Sequence, residues 1–181
     1  CGCDYLHTDY QTELEFKKNI IKDSIKRIGR FDFSPEIKTY ASERYGYRSR
    51  CSVKSDGNYT GFYGKKTNTI IPFPVQGCIL LDDAINEFIQ NNRITKDCRI
   101  SKDSKGNVSN TLSAEIIENE LNFIYNHSSE GFFQSNRFLR SKMLELVIAQ
   151  SDGFSQAIDL GCGCGFFTIP LSKKMKITGI D

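Results

Sequence analysis

The stretch Asp159-Leu160-Gly161-Cys162-Gly163-Cys164-Gly165 narrows the fold more than any other part of the chain. A β-like run, Gln156 to Leu160, leads into it, and a helix-like run, Phe166 to Lys174, leads away. A second apolar run, Lys176 to Ile180, ends on the acid Asp181. Strand, glycine loop, helix and parallel strand in that order form a βαβ unit, because parallel neighbours need a crossover. Glycines at 161, 163 and 165 permit positive φ and remove the Cβ atoms that would keep a ligand from the backbone at the helix N-terminus. An acid about 20 residues downstream, at the tip of the next strand, is placed to accept hydrogen bonds from ribose hydroxyls.

The spacing excludes the dinucleotide fingerprint, since G-x-G-x-x-G requires glycine at 166 and the chain has Phe166. The pattern D-x-G-x-G-x-G suits S-adenosylmethionine better. That ligand carries no pyrophosphate and is positively charged, so the carboxylate of Asp159 is an asset near its cationic end. The competing reading is a glycine-rich turn with no ligand.

Composition bounds the rest. At 181 residues the chain has room for one large domain or two small ones. Lys and Arg total 24 against 22 for Asp and Glu, so any basic patch for a polyanion must be local. No apolar run is long enough to span a bilayer and no signal peptide is evident, which sets the expectation of a cytoplasmic protein without a membrane partner. Seven cysteines, odd in number and unevenly spaced, argue against a secreted disulfide framework. With two histidines, a metal site would have to be mostly thiolate. A first residue other than Met, and an end at the second strand of a fold that needs more, give the expectation of a fragment.

Along the chain, Cys1-Gly2-Cys3 reads as neighbouring thiols or as metal ligands. Gln11 to Gly29 is expected to be a helix, with Leu14, Ile21, Ile25 and Ile28 as its apolar stripe, Thr8 or Asp9 as cap and Gly29 at its end. From Arg44 to Ile71 the sequence turns β-like, with a hairpin at Ser55-Asp56-Gly57-Asn58. Arg48 and Arg50, two apart, project from one face of their strand and Tyr47 from the other. That pair reads equally as a phosphate-binding site or as an exposed polar face. A helix is expected at Asp83 to Asn91, strands at Cys98 to Ser101, Val108 to Ser113 and Leu121 to Asn126, and a helix at Phe138 to Gln150 capped by Asn136.

These pieces together resemble the RNA uracil-C5 methyltransferases that make 5-methyluridine in tRNA and 23S rRNA. The similarity runs from the cysteine pair and the Glu13-Leu-Glu-Phe-Lys-Lys18 helix, through Tyr47-Arg-Ser-Arg50, Gly61-Phe62 and Cys78 before Leu80-Leu-Asp-Asp-Ala-Ile85, to Phe132-Phe-Gln-Ser-Asn136 and Asp159-Leu-Gly-Cys-Gly-Cys-Gly-Phe-Phe-Thr168. F-F-Q-x-N upstream of D-L-x-C-G-x-G-x-F-T is its specific part.

The resemblance implies a fold: an α+β, β-rich central domain (residues 1–12 and 45–130), a helical segment (13–44) packing on the methyltransferase domain, and the start of a truncated α/β Rossmann-like class I methyltransferase domain (131–181). It implies S-adenosylmethionine as cofactor, bound by Gln134, Asp159, Gly161, Gly163, Gly165 and Asp181. RNA, rRNA or tRNA, is the implied partner of a monomer, contacted by Tyr47, Arg48, Arg50 and Phe132. It further implies a [4Fe-4S] cluster held by Cys1, Cys3 and Cys78, although this chain has C-G-C where the family has C-G-G-C. The family's nucleophilic Cys and basic Glu lie beyond Asp181, so no residue here is expected to be catalytic; Cys162 matches a loop cysteine that is not the nucleophile. Two other function classes stay open from the sequence: a non-catalytic RNA-binding or Fe–S module that retains the fold, and a methyltransferase acting on a small molecule.

Overall fold

The computed structural model describes residues 4–111 and 114–181. By their internal contacts the residues group into two units, 1–44 and 45–181.

The first unit is built on α1 (Tyr10–Arg27). Asp9 caps it, accepting from the Thr12 amide at 2.8 Å, while Glu13 in the first turn and Lys26 and Arg27 in the last complement the helix dipole. The expected apolar stripe is only partly covered: Leu14 and Ile25 are half-buried, whereas Ile21 and Ile28 are exposed. The buried residue is instead Glu13, held by Lys17 at 2.6 Å and by Arg44 at 3.1 Å. Arg44 also donates to the carbonyls of Tyr5 and Thr8, tying the chain after the helix back to the chain before it. At the C-terminus Gly29 does not take the left-handed conformation; Arg30 does, at φ 51°. Glycine is needed at 29 for space, since a Cβ there would lie 2.5 Å from the Ile25 carbonyl oxygen.

The second unit opens with strands β1 (Arg50–Ser55), β2 (Thr60–Tyr63) and β3 (Ile70–Pro72), then helix α2 (Asp83–Asn91), then β4 (Cys98–Lys102) and β5 (Val108–Ser109). The strands form one antiparallel sheet in the order β3-β2-β1-β4-β5. The β1–β2 turn forms as the Asp-Gly pair predicts, with Asp56 accepting from the amides of Asn58 and Tyr59. Alternation along β1 sends Cys51 and Val53 into an aliphatic core with Leu81, Ile85, Ile94 and Ile100, and Arg50, Ser52 and Lys54 to the opposite face. Asp82 caps α2 through the Ala84 amide at 3.0 Å and fixes that helix over the core.

A hairpin follows, β6 (Glu115–Glu120) with β7 (Phe123–Ser128). It departs from the sequence expectation in two ways. Of the strand expected over Val108 to Ser113, β5 covers Val108–Ser109, and positions 112 and 113 lie outside the described residues. The strand expected from Leu121 instead begins after a tight turn in which Leu121 and Asn122 have φ of 50° and 67°. Both central residues at positive φ make a turn whose twist matches the flanking strands, and a leucine there gives no turn signal.

Residues 129–139 then lead to α3 (Arg140–Gln150), β8 (Gln156–Leu160), α4 (Thr168–Leu171) and β9 (Lys176–Ile180). Asn136 does not cap α3; it accepts from the Phe138 amide at 3.1 Å, and the helix starts at Arg140 without a side-chain cap. Strands β8 and β9 pair in parallel, Gln156 opposite Lys176 through Leu160 opposite Ile180. Helix α4 is shorter than the expected Phe166 to Lys174 at both ends, and Pro170 bears on its late start. It has no N–H to give the Phe166 carbonyl, and the buried Tyr125 hydroxyl donates to that oxygen instead, at 3.0 Å. Tyr125, Phe133, Leu144 and Phe166 form a second, mostly aromatic core. Among the described residues no helix is long and apolar enough to cross a membrane.

Candidate cofactor pocket and basic groove

The glycine loop follows β8 directly. Gly161, Gly163 and Gly165 all have positive φ, at 72°, 50° and 82°, so each glycine in the pattern sits where a side chain would be strained. The amides of Gly161 and Cys162 donate to the Ile180 carbonyl at 2.6 and 3.1 Å, which docks the loop onto the end of β9. From there the Gly163 amide donates to Asp181 Oδ1 at 3.1 Å. The acid at the tip of the second strand therefore meets the glycine loop across the sheet. Asp159 Oδ2 accepts from Thr168 Oγ1 at 2.6 Å, tying the strand end to α4.

A small cavity of about 60 Å³ lies against this loop, lined by Phe132, Phe133, Gln134, Asp159, Gly161, Gly163 and their neighbours. Four of the six residues expected to hold a cofactor thus share one lining, and Asp181 is joined to it through Gly163. Gly165 lies outside the lining; its amide bonds the Cys162 carbonyl at 2.8 Å and turns the chain into α4. The enclosed volume is on the order of a few waters, smaller than an adenosyl group. Gly179 escaped the sequence reading. A Cβ there would lie 2.8 Å from the Cys162 sulfur, a requirement visible only once the loop is seen folded over β9.

On the far side of Phe132 and Phe133 is a larger groove of about 460 Å³, lined by Arg48, Arg50, Ser52, Arg99, Glu130, Phe132 and others. Arg48 and Arg50 share a face as expected, but their circumstances differ. Arg50 is 9% exposed and donates to the carbonyls of Ser129 and Gly131 at 2.8 and 2.6 Å. Burial, followed by the like charges of Arg99 and Arg140, pushes its pKa down. Arg50 thus grips the backbone just before Phe132. Tyr47 does not line the groove; its carbonyl accepts from the Arg137 amide and its ring lies 5.9 Å from the Arg48 guanidinium. Arg99 was missed by the sequence reading. It sits opposite Ser52 in the β1–β4 register, donates to Ser52 Oγ and to the Glu130 carbonyl, and lines the groove. Register between strands 47 residues apart carries no local signal.

Phe132 and Phe133 line both cavities. Phe132 is 70% exposed, while Phe133 is 1% exposed, stacked on His127 with centroids 4.9 Å apart.

Burial raises the Cys51 pKa to about 12 and pushes up Cys98 and Cys164 as well. Of the expected cluster ligands, Cys1 and Cys3 lie outside the described residues. Cys78 packs against the aliphatic core, its backbone bonded twice to Asn86. Among the described residues no group of three His, Cys, Asp or Glu is placed to hold a metal ion.

Comparison with known proteins agrees with the motifs. No family model matches the chain. It is 27% identical to a protein described as an uncharacterized RNA methyltransferase of Aquifex aeolicus, covering 96% of this chain and 52% of the relative. It is 23% identical to a tRNA/tmRNA (uracil-C5)-methyltransferase of Campylobacter hominis, covering 96% of this chain and 60% of that one. The crystal structure of Pyrococcus abyssi tRNA (uracil-54, C5)-methyltransferase in complex with S-adenosyl-L-homocysteine superimposes with a TM-score of 0.67, at 18% identity, over 99% of this chain and 58% of that one. At that identity the superposition speaks for the fold, a mixed α/β one. The chain spans about half the length of the curated relatives it matches. Over nearly its whole length, then, the chain is similar to proteins named RNA methyltransferases, tRNA/tmRNA (uracil-C5)-methyltransferases among them.

Proposed function

We propose that the chain is the cofactor-holding and RNA-facing part of an S-adenosylmethionine-dependent RNA uracil-C5 methyltransferase, working in the cytoplasm. The observation that carries this reading is the joining of the glycine loop to Asp181 beside a cavity that Gln134 lines. The residues fit the ligand's chemistry. Asp181 lies where ribose hydroxyls would be received, loop glycines leave the backbone open to approach, and Asp159 supplies negative charge near a cationic sulfur. When bound, the cofactor supplies the methyl group destined for C5 of the base.

This chain's residues bind and orient rather than react. Arg48 and Arg99 offer positive charge to phosphate and Phe132 offers an exposed ring to a base, a combination suited to unpaired RNA. Uracil C5 is a weak nucleophile. Its methylation calls for a thiolate that adds to C6, a base that removes the C5 proton, and elimination of the thiolate. The described thiols do not suit that role. Cys162 is packed over Gly179 and Cys164 is directed at the Phe132 carbonyl, so this reading assigns the nucleophile and the base to none of the described residues. The division at residues 130/131 into a β-rich and a Rossmann-like domain belongs to the same reading. The described residues supply one thiol, Cys78, toward an iron–sulfur cluster and do not complete a ligand set, so no step here runs through one.

Isothermal titration with S-adenosylhomocysteine tests the pocket. The chain should bind it, and Gln134→Ala and Asp181→Ala should each weaken binding about tenfold, the equivalent of losing one charged or well-placed hydrogen bond. Absence of binding by the parent chain overturns the reading. Arg99→Ala should reduce salt-sensitive retention of an oligouridylate without altering that titration; unaltered retention removes Arg99 from the RNA face.

A further inference from the structure

Gln134 has no element of its own to hold it, since it lies in the irregular segment between β7 and α3. What fixes it is a guanidinium from the first turn of α3. Arg140 is 2% exposed, and its Nε donates to the Gln134 carbonyl at 2.7 Å. The same group pairs through Nη1 with Glu118 at 2.9 Å and with Glu120 at 3.5 Å, both on β6, and donates through Nη2 to Ser49 Oγ just ahead of β1. Its carbon lies 4.7 Å from the centre of the Phe133 ring, the residue before Gln134. One planar fork therefore joins the five-stranded sheet, the β6–β7 hairpin, α3 and the segment that lines the glycine-loop cavity.

We infer that Arg140 is a positioning residue for the cofactor pocket, acting through Gln134 by holding its backbone, and the inference rests on the pocket reading above. The chemistry of the group explains the choice of residue. A guanidinium presents five donors in a fixed plane and is always charged. Here Nη1 meets two carboxylates while Nε, elsewhere in the same plane, meets a carbonyl and Nη2 a hydroxyl. A lysine ammonium is a point charge without that geometry. A fold needing only charge balance at Glu118 and Glu120 has no use for the third and fourth arms.

The test is a double-mutant cycle read by S-adenosylhomocysteine titration of the whole chain. Arg140→Lys keeps a positive charge for Glu118 and should weaken binding about tenfold, as should Gln134→Ala. The double variant should bind within about twofold of Gln134→Ala alone, because a residue acting through Gln134 has nothing left to position. Losses that multiply to about a hundredfold, or an Arg140→Lys affinity equal to the parent's, overturn the inference. Glu120→Gln is the gentler second variant. It loosens the 3.5 Å arm with Glu118 still in place and should cost about twofold in the parent background and nothing in Gln134→Ala; equal losses in both backgrounds also overturn it. Ile85→Val, in the remote aliphatic core, is the stability control, and a comparable loss of affinity there assigns the Arg140 effect to general loosening. Failure of the parent to bind removes the pocket itself, and the inference with it.

Discussion

The second unit contains two cores of different character. Under the five-stranded sheet, Cys51, Val53, Leu81, Ile85, Ile94 and Ile100 are aliphatic or thiol, with the buried charge of Asp82 beside them at the start of α2. Between the β6–β7 hairpin and the glycine loop, Tyr125, Phe133 and Phe166 are aromatic, with centroids 5.4 to 5.7 Å apart, and Glu118, His127 and Arg140 are buried around them. Aliphatic side chains fill space and impose little direction. Rings and forked charges impose geometry, through quadrupoles and hydrogen bonds. The molecule uses the first kind where a sheet needs only a filled underside, and the second where a loop, a helix and a hairpin must meet in one arrangement.

The comparison breaks most visibly at Arg140. Arg140→Ala leaves Glu118 buried without its charged partner, with Ser104 Oγ still donating to it, and should cost about 3–5 kcal/mol, the usual range for breaking a buried ion pair from one side, read as a lower urea midpoint. Tyr125→Phe removes the hydroxyl that satisfies the Phe166 carbonyl and should cost about 1–3 kcal/mol, with the loss visible in the same titration. In the aliphatic core, Ile100→Val removes one methylene from a fully buried side chain and should cost about 0.5–1.5 kcal/mol while leaving S-adenosylhomocysteine affinity unchanged. An effect of Ile100→Val on affinity would mean the two cores are not separable.

The smallest effect is one of pH and belongs to the aromatic core alone. Burial, with Arg50 and Arg140 adding to it, holds His127 below its ordinary value against the opposing pull of the Ser128 carbonyl and Glu118. Its neutral form is the folded one. The stability that this provides is complete above the unfolded value near 6.5 and is lost as pH falls below that toward the depressed folded value. The urea midpoint should drop between pH 7.5 and 5.5, and the drop should shrink in His127→Phe.

The same contrast decides what the sequence shows. The aliphatic core follows local patterns, alternation in β1 and the period of α2, because burial there tracks the hydrophobic pattern. Glu115-Ile-Ile-Glu-Asn-Glu120 was not read as a strand, since Glu118 looks like a solvated acid. It is 4% exposed, and the charge that allows this comes from Arg140, 22 residues on and in another element. The glycine loop was legible because its constraint is local: three residues with positive φ within five positions. Its supports, Arg99, Gly179 and Arg140, depend on register and chain crossing, which no short window contains. Arg50 was found for its charge, and although it borders the groove its hydrogen bonds go to the carbonyls of Ser129 and Gly131.

Phe132 and Phe133 are neighbours facing opposite surroundings, one ring in solvent and the other keyed between His127 and Phe166. Such a pair works as a lever with its short arm clamped. On the proposed function, a base settling on the outer ring would pull on a peptide whose inner end is wedged beside the glycine loop, so the two cavities are joined within a single residue.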